Sequence, residues 1–227
     1  MREIIEPPLL ERRGVRAFFT TRKIGVDRER ILASSGLGRV DIYQPVQEHT
    51  DRVIVLRHDN SRRVADAVIT RRRNVLVGVS VADCVPVILF DSERHICGVV
   101  HAGWRGTAAG ILRRTIGAMR DEMYSRPSDI IIAIGPSIRW CCYSVGEDVL
   151  RAVMGATGEG EYYERRDGKI CLDLPSANRA QAVDMGINED NIWMSTECTY
   201  CYPERFFSYR YARGPTGRQG GFVGMFD

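Results

Sequence analysis

Cys84 stands beside an acid in Ala82-Asp83-Cys84, and His101 opens the glycine-rich run His101-Ala102-Gly103-Trp104-Arg105-Gly106. A thiol and an imidazole are side chains that hold zinc, or that work together as nucleophile and base. Whether they can meet depends on the residues between them. Val85 to Phe90 and Ile96 to Val100 are short, apolar and rich in β-branched residues, and Asp91-Ser92-Glu93-Arg94 between them is turn chemistry. The pattern predicts an antiparallel hairpin. Such a hairpin lays the outer ends of its strands side by side, which brings Cys84 next to His101.

A catalytic zinc takes three protein ligands and keeps one position for water or substrate. The chain has four histidines, His49, His58, His95 and His101. His95 falls at the hairpin turn, at the far end from Cys84. His49 and His58 flank an expected strand, Asp51 to Leu56, and spacing does not choose between them. Gly103 to Thr107 is a glycine-rich bend opening a helix. Its free backbone N–H groups and helix dipole favour an anion, phosphate above all, and Arg105 adds a potential bidentate contact. Trp104 reads first as core packing.

Read singly, Cys84 would be a small buried residue and His101 a satisfied histidine at a strand end. Together, beside Asp83 and the Gly-Trp-Arg-Gly bend, they read as a site. The other cysteines read as structural. Cys198-Thr199-Tyr200-Cys201 is a C-x-x-C with no partner pair or histidine nearby in the sequence, and Cys141-Cys142 lacks metal-ligand spacing, so packing is the expectation for both.

The elements that must position these residues follow from periodicity. Strands are expected at Val15 to Thr20, Asp51 to Leu56, Asn74 to Ala82, Asp129 to Ile134, Asn191 to Ser195, Arg205 to Tyr211 and Gly221 to Met225, with a short element at Val64 to Ile69. Asn74 to Ala82 is almost continuously apolar, as a strand covered on both faces would be. Helices are expected at Thr107 to Met123 with Thr107 as N-cap, at Gly146 to Ala156 and at Ser176 to Met185, with a turn or two of helix at Arg28 to Gly36. Strands in hairpins alternate with strand–helix–strand units, so the fold class is α+β, with mixed sheets and helices packed outside them.

Composition narrows the function classes. The chain of 227 residues can bury a sizeable core as one domain spanning 1–227. Net charge is +3, from 32 basic and 29 acidic side chains, which gives no reason to expect a nucleic acid or an anionic membrane as partner. Arg71-Arg72-Arg73 reads as a solvated turn. The first residues carry charges where an export signal needs an apolar stretch, and no apolar run is long enough to span a bilayer. Seven cysteines, an odd number, then point to reduced thiols in the cytoplasm.

With these motifs in view, the chain resembles the laccase-domain, or polyphenol-oxidase-like, family of zinc-dependent purine nucleoside phosphorylases. The resemblance runs from Ala17 onward. It is carried by Ala82 to Val87, His101 to Gly106, Ile134-Gly135-Pro136-Ser137-Ile138 leading to Cys142 through Gly146, and Asp173 through Asn178. Further matches are Cys198 to Cys201, Phe206 to Arg210 and Thr216-Gly217-Arg218. It implies an α/β/β/α sandwich and a metal triad of His49 (in Gln47-Glu48-His49), Cys84 and His101. It implies purine nucleosides and phosphate as substrates, with adenosine deamination and methylthioadenosine cleavage in the same family. Two departures stand out: Thr50 replaces the family's glycine after the histidine, and Lys23-Ile24-Gly25-Val26 replaces its G-G-V-S after Arg22. Arg105 and Arg22 are the candidates for holding phosphate, and a monomer is the expected state.

Two rival chemistries use the same residues. A metal-free hydrolase would take Cys84 as nucleophile and His101 as base. A copper oxidase would use the triad as a copper site, but a multicopper enzyme needs a further cluster of imidazoles that four histidines do not supply.

Overall fold

A computed structural model describes residues 3–227. The chain runs through β1 (Ile4–Ile5), β2 (Val15–Thr20), α1 (Arg28–Ser35), β3 (Asp41–Tyr43), β4 (Val53–Leu56), β5 (Ala67–Thr70), β6 (Val75–Val81), β7 (Val85–Asp91) and β8 (Ile96–Ala102). Then come α2 (Trp104–Ala108), α3 (Ile111–Met123), β9 (Ile130–Ile134), β10 (Ser144–Val145), α4 (Glu147–Thr157), β11 (Tyr163–Arg166), β12 (Lys169–Leu172) and α5 (Leu174–Asp184). Last are β13 (Ile192–Met194), α6 (Tyr209–Ala212) and β14 (Gln219–Met225). A five-stranded sheet has the order β1-β2-β14-β6-β3, a six-stranded sheet β13-β9-β7-β8-β5-β4, and a small third sheet β10-β12-β11. Both large sheets are mixed: β3 runs parallel to β6, β4 to β5 and β13 to β9, and the other pairs are antiparallel.

Side-chain alternation sets the layers. On β7, Val85, Val87 and Leu89 join one buried cluster with Ile111, Leu112, Ile116 and Met119 of α3. Ile88 and Phe90 point the other way and meet Phe19, Val77, Val79 and Val223 of the five-stranded sheet. The far face of that sheet carries Phe18, Leu76 and Phe222, which bury Ile31 of α1. The order is therefore α1, five-stranded sheet, six-stranded sheet, α2 to α5, the α/β/β/α sandwich expected. Because β7 and β8 are covered on both faces, they read as unbroken apolar runs rather than alternating ones.

Three local expectations change. The helix foreseen from Thr107 to Met123 is two helices, because Gly110 turns left-handed (φ 71°) and breaks the run. Gly103, not Thr107, caps the first; Thr107 is fully buried, and its hydroxyl accepts a 3.0 Å hydrogen bond from Asn178 Nδ2. Arg205 to Tyr211 is no strand: Ser208 caps α6, its side chain accepting from the Tyr211 N–H. The hairpin β11–β12 went unread, although it turns at Asp167-Gly168, both left-handed (φ 50° and 70°), the conformation an Asp-Gly turn favours.

Candidate metal centre

The register of β7 on β8 pairs Val85 with Ala102, so Cys84, one residue outside the strand, comes level with Gly103. A Cβ at Gly103 would lie 2.9 Å from Cys84 Sγ and 3.1 Å from His49 Cδ2. Glycine is the residue that leaves room for the sulfur and the ring together. His101 lies in β8 on the face turned away from the helices, beside Cys97 and Val99 in the alternation. It is 4% exposed.

His49 arrives from the loop between β3 and β4 in a left-handed conformation (φ 59°). Gln47 ties the start of that loop to Ser80 of β6, and the fully buried Asp66 just before β5 holds its end. Its carboxylate accepts from the backbone N–H groups of Glu48 (3.3 Å), His49 (3.1 Å) and Thr50 (2.6 Å), and from Thr50 Oγ1 (2.8 Å). The same carboxylate takes His101 Nδ1 at 2.7 Å, while the His101 backbone N–H donates to the Asp66 carbonyl, also at 2.7 Å. With Nδ1 engaged by the carboxylate, His101 turns Nε2 toward the site as the free ligand atom. Thr50 is not left-handed and adds a hydroxyl bond to the same acid.

The result is a converging donor set. Cys84 Sγ lies 3.9 Å from His49 Nε2, the two imidazoles meet edge to face with centroids 4.8 Å apart, and the donor atoms of His49, Cys84 and His101 all fall within 4.8 Å of one another. Zinc bonds of about 2.0–2.3 Å set in a tetrahedron place donors roughly 3.3–3.8 Å apart, so the geometry and the N/S chemistry both fit a borderline-soft cation. His58 and His95 lie outside the group among the described residues. The choice between His49 and His58, open on spacing, falls in space to His49.

Electrostatics match. Burial works against charge on Cys84, but the charge and hydrogen bond of His101, followed by those of His49, bring its thiol down to about 6. Burial likewise disfavours the imidazolium, but Cys84 and Asp66 lift His101 to about 9. Asp66, buried as it is, is held to about 2 by the hydrogen bonds from His101 and Thr50. Both shifts favour a thiolate–imidazolium pair in the metal-free site, and a cation entering it replaces the imidazolium proton.

Around the triad, Trp104 packs against the helix-side core, with the Arg105 guanidinium 4.4 Å from its ring centroid. Arg22 is not brought to the triad by these contacts: it donates to the Pro203 carbonyl (2.7 Å) and lies over Phe207 (4.7 Å). Two residues not singled out from sequence join them. Tyr143 has its phenol pushed up to about 12, chiefly by burial and then by the Cys84 charge, with Arg210 and Arg105 opposing. Arg210 sits over the Tyr143 ring at 5.2 Å. Asp83, left-handed at φ 86°, points away from ligand duty: its carboxylate accepts from Thr199 Oγ1 (2.6 Å) and the Arg210 N–H (2.7 Å).

One sequence expectation is overturned here. The C-x-x-C at Cys198 and Cys201 does have a partner pair, since Cys141 and Cys142 fold onto it and all four sulfurs fall within 4.8 Å of one another. The pairs lie about sixty residues apart in the chain, so spacing concealed them.

Layered mixed sheets with a His-Cys-His group at a hairpin end define a class with close precedents. The chain belongs to the family described as multi-copper polyphenol oxidoreductase laccase, whose model matches residues 17–226. Purine nucleoside phosphorylase YlmD of Geobacillus stearothermophilus is 38% identical over 162 residues, 70% of this chain and 59% of its own length. The purine nucleoside phosphorylase of Deinococcus radiodurans is 35% identical over 90% of this chain and 78% of its own. Adenosine deaminase RL5, from an unknown prokaryotic organism, is 32% identical over 94% of both. The crystal structure of Geobacillus YlmD superposes with a TM-score of 0.88 at 28% identity, covering 97% of this chain and 94% of that one. Among the described residues no helix is long and apolar enough to cross a membrane.

Proposed function

We propose that this protein is a zinc-dependent purine nucleoside phosphorylase that cleaves adenosine, inosine or methylthioadenosine with phosphate, releasing the free base and the (methylthio)ribose 1-phosphate. The observation that carries the reading is the convergence of His49, Cys84 and His101 on a point that Gly103 keeps clear. Relatives named for this activity at 35–39% identity support it. In the reaction a phosphate oxygen bonds to C1′ of the ribose as the C1′–N bond to the purine breaks. Arg105 and Arg210, the guanidinium groups that bear on Tyr143 beside Cys84, hold the phosphate, with Arg22 against Phe207 as a further contact. Asp66 keeps His101 in the tautomer that presents Nε2. Zinc held by His49, Cys84 and His101 would supply Lewis-acid charge to the site.

The similarity to an adenosine deaminase over nearly the whole chain supports deamination as a second activity of the same site. A metal-free hydrolase is the competing reading, favoured by the alignment of Cys84, His101 and Asp66 as nucleophile, base and orienting acid. Copper at the triad is the remaining alternative, as the family description suggests. His58 and His95 lie outside the site, so no multicopper cluster accompanies it among the described residues.

The test is to incubate purified protein with adenosine or inosine, with and without phosphate, and to measure bound metal. Phosphate-dependent release of adenine or hypoxanthine with ribose 1-phosphate, abolished in Cys84→Ala, supports phosphorolysis. Inosine formed from adenosine alone moves the function to deamination. Full activity in metal-stripped protein would sink the zinc reading.

A further inference from the structure

Four sulfurs converge a second time, away from the histidines. Cys141 and Cys142 end a turn in which the Cys142 N–H donates to the Arg139 carbonyl (2.9 Å). Cys198 and Cys201 lie on the loop after β13, docked on the first by the Ser137–Cys198 bridge and by the Thr199 N–H to the Ser137 carbonyl (3.0 Å). The Sγ atoms of Cys142 and Cys201 are 3.3 Å apart and those of Cys141 and Cys201 3.7 Å, and the whole set lies within 4.8 Å. A tetrahedron of thiolates with metal–sulfur bonds of about 2.3 Å has edges of about 3.8 Å, in the middle of that range. All four are free thiols, and a single disulfide would engage only two of them.

We propose that Cys141, Cys142, Cys198 and Cys201 form a second metal site, closed on four sulfurs, that takes a zinc-class soft divalent cation and serves structure. Four protein ligands leave no open position for water or substrate, which separates it from the three-ligand site. Its consequence reaches the triad through Asp83. That residue's carbonyl accepts from the Ile138 N–H (3.0 Å) on the first cysteine loop, and its carboxylate accepts from Thr199, inside the C-x-x-C. The next residue is Cys84. A cation that clamps the two loops together therefore fixes the position of the triad sulfur.

The site is tested in a Cys84→Ala background, which disables the triad and makes the result independent of the proposed function. The full chain, expressed with zinc, is expected to retain about one zinc per molecule, with sulfur-only coordination by X-ray absorption. Cobalt in its place is expected to give the intense thiolate-to-metal absorption of a four-sulfur site. Adding Cys141→Ser and Cys201→Ser should lower retained zinc at least tenfold. The cobalt spectrum leaves the four cysteines untouched and so decides the matter even if that variant does not fold. Retention of less than about a tenth of a zinc in the Cys84→Ala protein would overturn the proposal, as would coordination by nitrogen or oxygen. So would an intact mass short of two hydrogens, the mark of a disulfide.

Discussion

Replacing Asp66 with asparagine tests whether one buried acid builds the metal centre. Oδ1 accepts from His49 N–H and His101 Nδ1, while Oδ2 accepts from the N–H groups of Glu48 and Thr50 and from the Thr50 hydroxyl. Asparagine keeps only one acceptor oxygen. If that oxygen faces His101, the amide NH2 confronts the Glu48 and Thr50 N–H groups, and two part-buried donors lose their acceptor. If it is flipped, the NH2 faces His101 Nδ1 and forces the proton onto Nε2, the atom the metal needs. Two orphaned part-buried donors cost about 1–3 kcal/mol of stability. Loss of an orienting carboxylate lowers metal affinity by about 10–100-fold. Urea unfolding of metal-free protein reads the first quantity and chelator competition the second. Thr50→Ala, which removes one hydroxyl bond and leaves the acid, should lose about 1 kcal/mol or less and keep most of the affinity. An Asp66→Asn protein matching wild type within threefold in affinity, and within about 0.5 kcal/mol in stability, would refute the assignment.

Other consequences follow from the same geometry. Gly103→Ala keeps a backbone that alanine adopts without strain (φ −72°), yet its methyl sits 2.9 Å from Cys84 Sγ; metal content should fall at least tenfold with little change in metal-free stability, measured by elemental analysis and thermal unfolding. Metal affinity should rise by about tenfold per pH unit between about 6 and 9, as binding displaces the imidazolium proton of His101, and more steeply below about 6, where the Cys84 thiol must also ionise; chelator competition across pH reads the slope. Asp66, depressed to about 2, contributes stability that is complete above its unfolded value near 4 and lost as pH falls toward 2, worth about 2 kcal/mol; acid unfolding of wild type against Asp66→Asn measures it. Arg210→Ala should raise the KM for phosphate by about tenfold or more while leaving the metal content intact, read by initial rates against phosphate concentration.

Local patterns carried the centre of this molecule. The turn residues Asp91 to Arg94 between two β-branched runs specify the hairpin β7–β8, and hairpin geometry alone brings Cys84 level with His101 and Gly103. His49 was beyond spacing, because His58 flanks the same strand, and the family motif chose what only the tertiary fold explains. Asp66 hides between two alanines in an apolar stretch, where its one signal is a buried acid at the start of a strand. The split between α2 and α3 was marked by Ala108-Ala109-Gly110, but the helical spacing of Ile111 to Met123 masked it. The four-cysteine cluster depends on two loops meeting across about sixty residues, which no local pattern encodes.

The place of β14 between β2 and β6 bears on how the protein is made. Residues 219–225 fill the middle of the five-stranded sheet, and the Gly220 N–H donates to Thr20 Oγ1 across 200 positions of chain. Emerging from the ribosome, β2 and β6 present bare edges facing each other until the final apolar strand is synthesised. Pairings of such long range close slowly, and open edges of this kind recruit neighbouring chains, so nascent molecules should lean on chaperones more than the finished protein's thorough burial suggests.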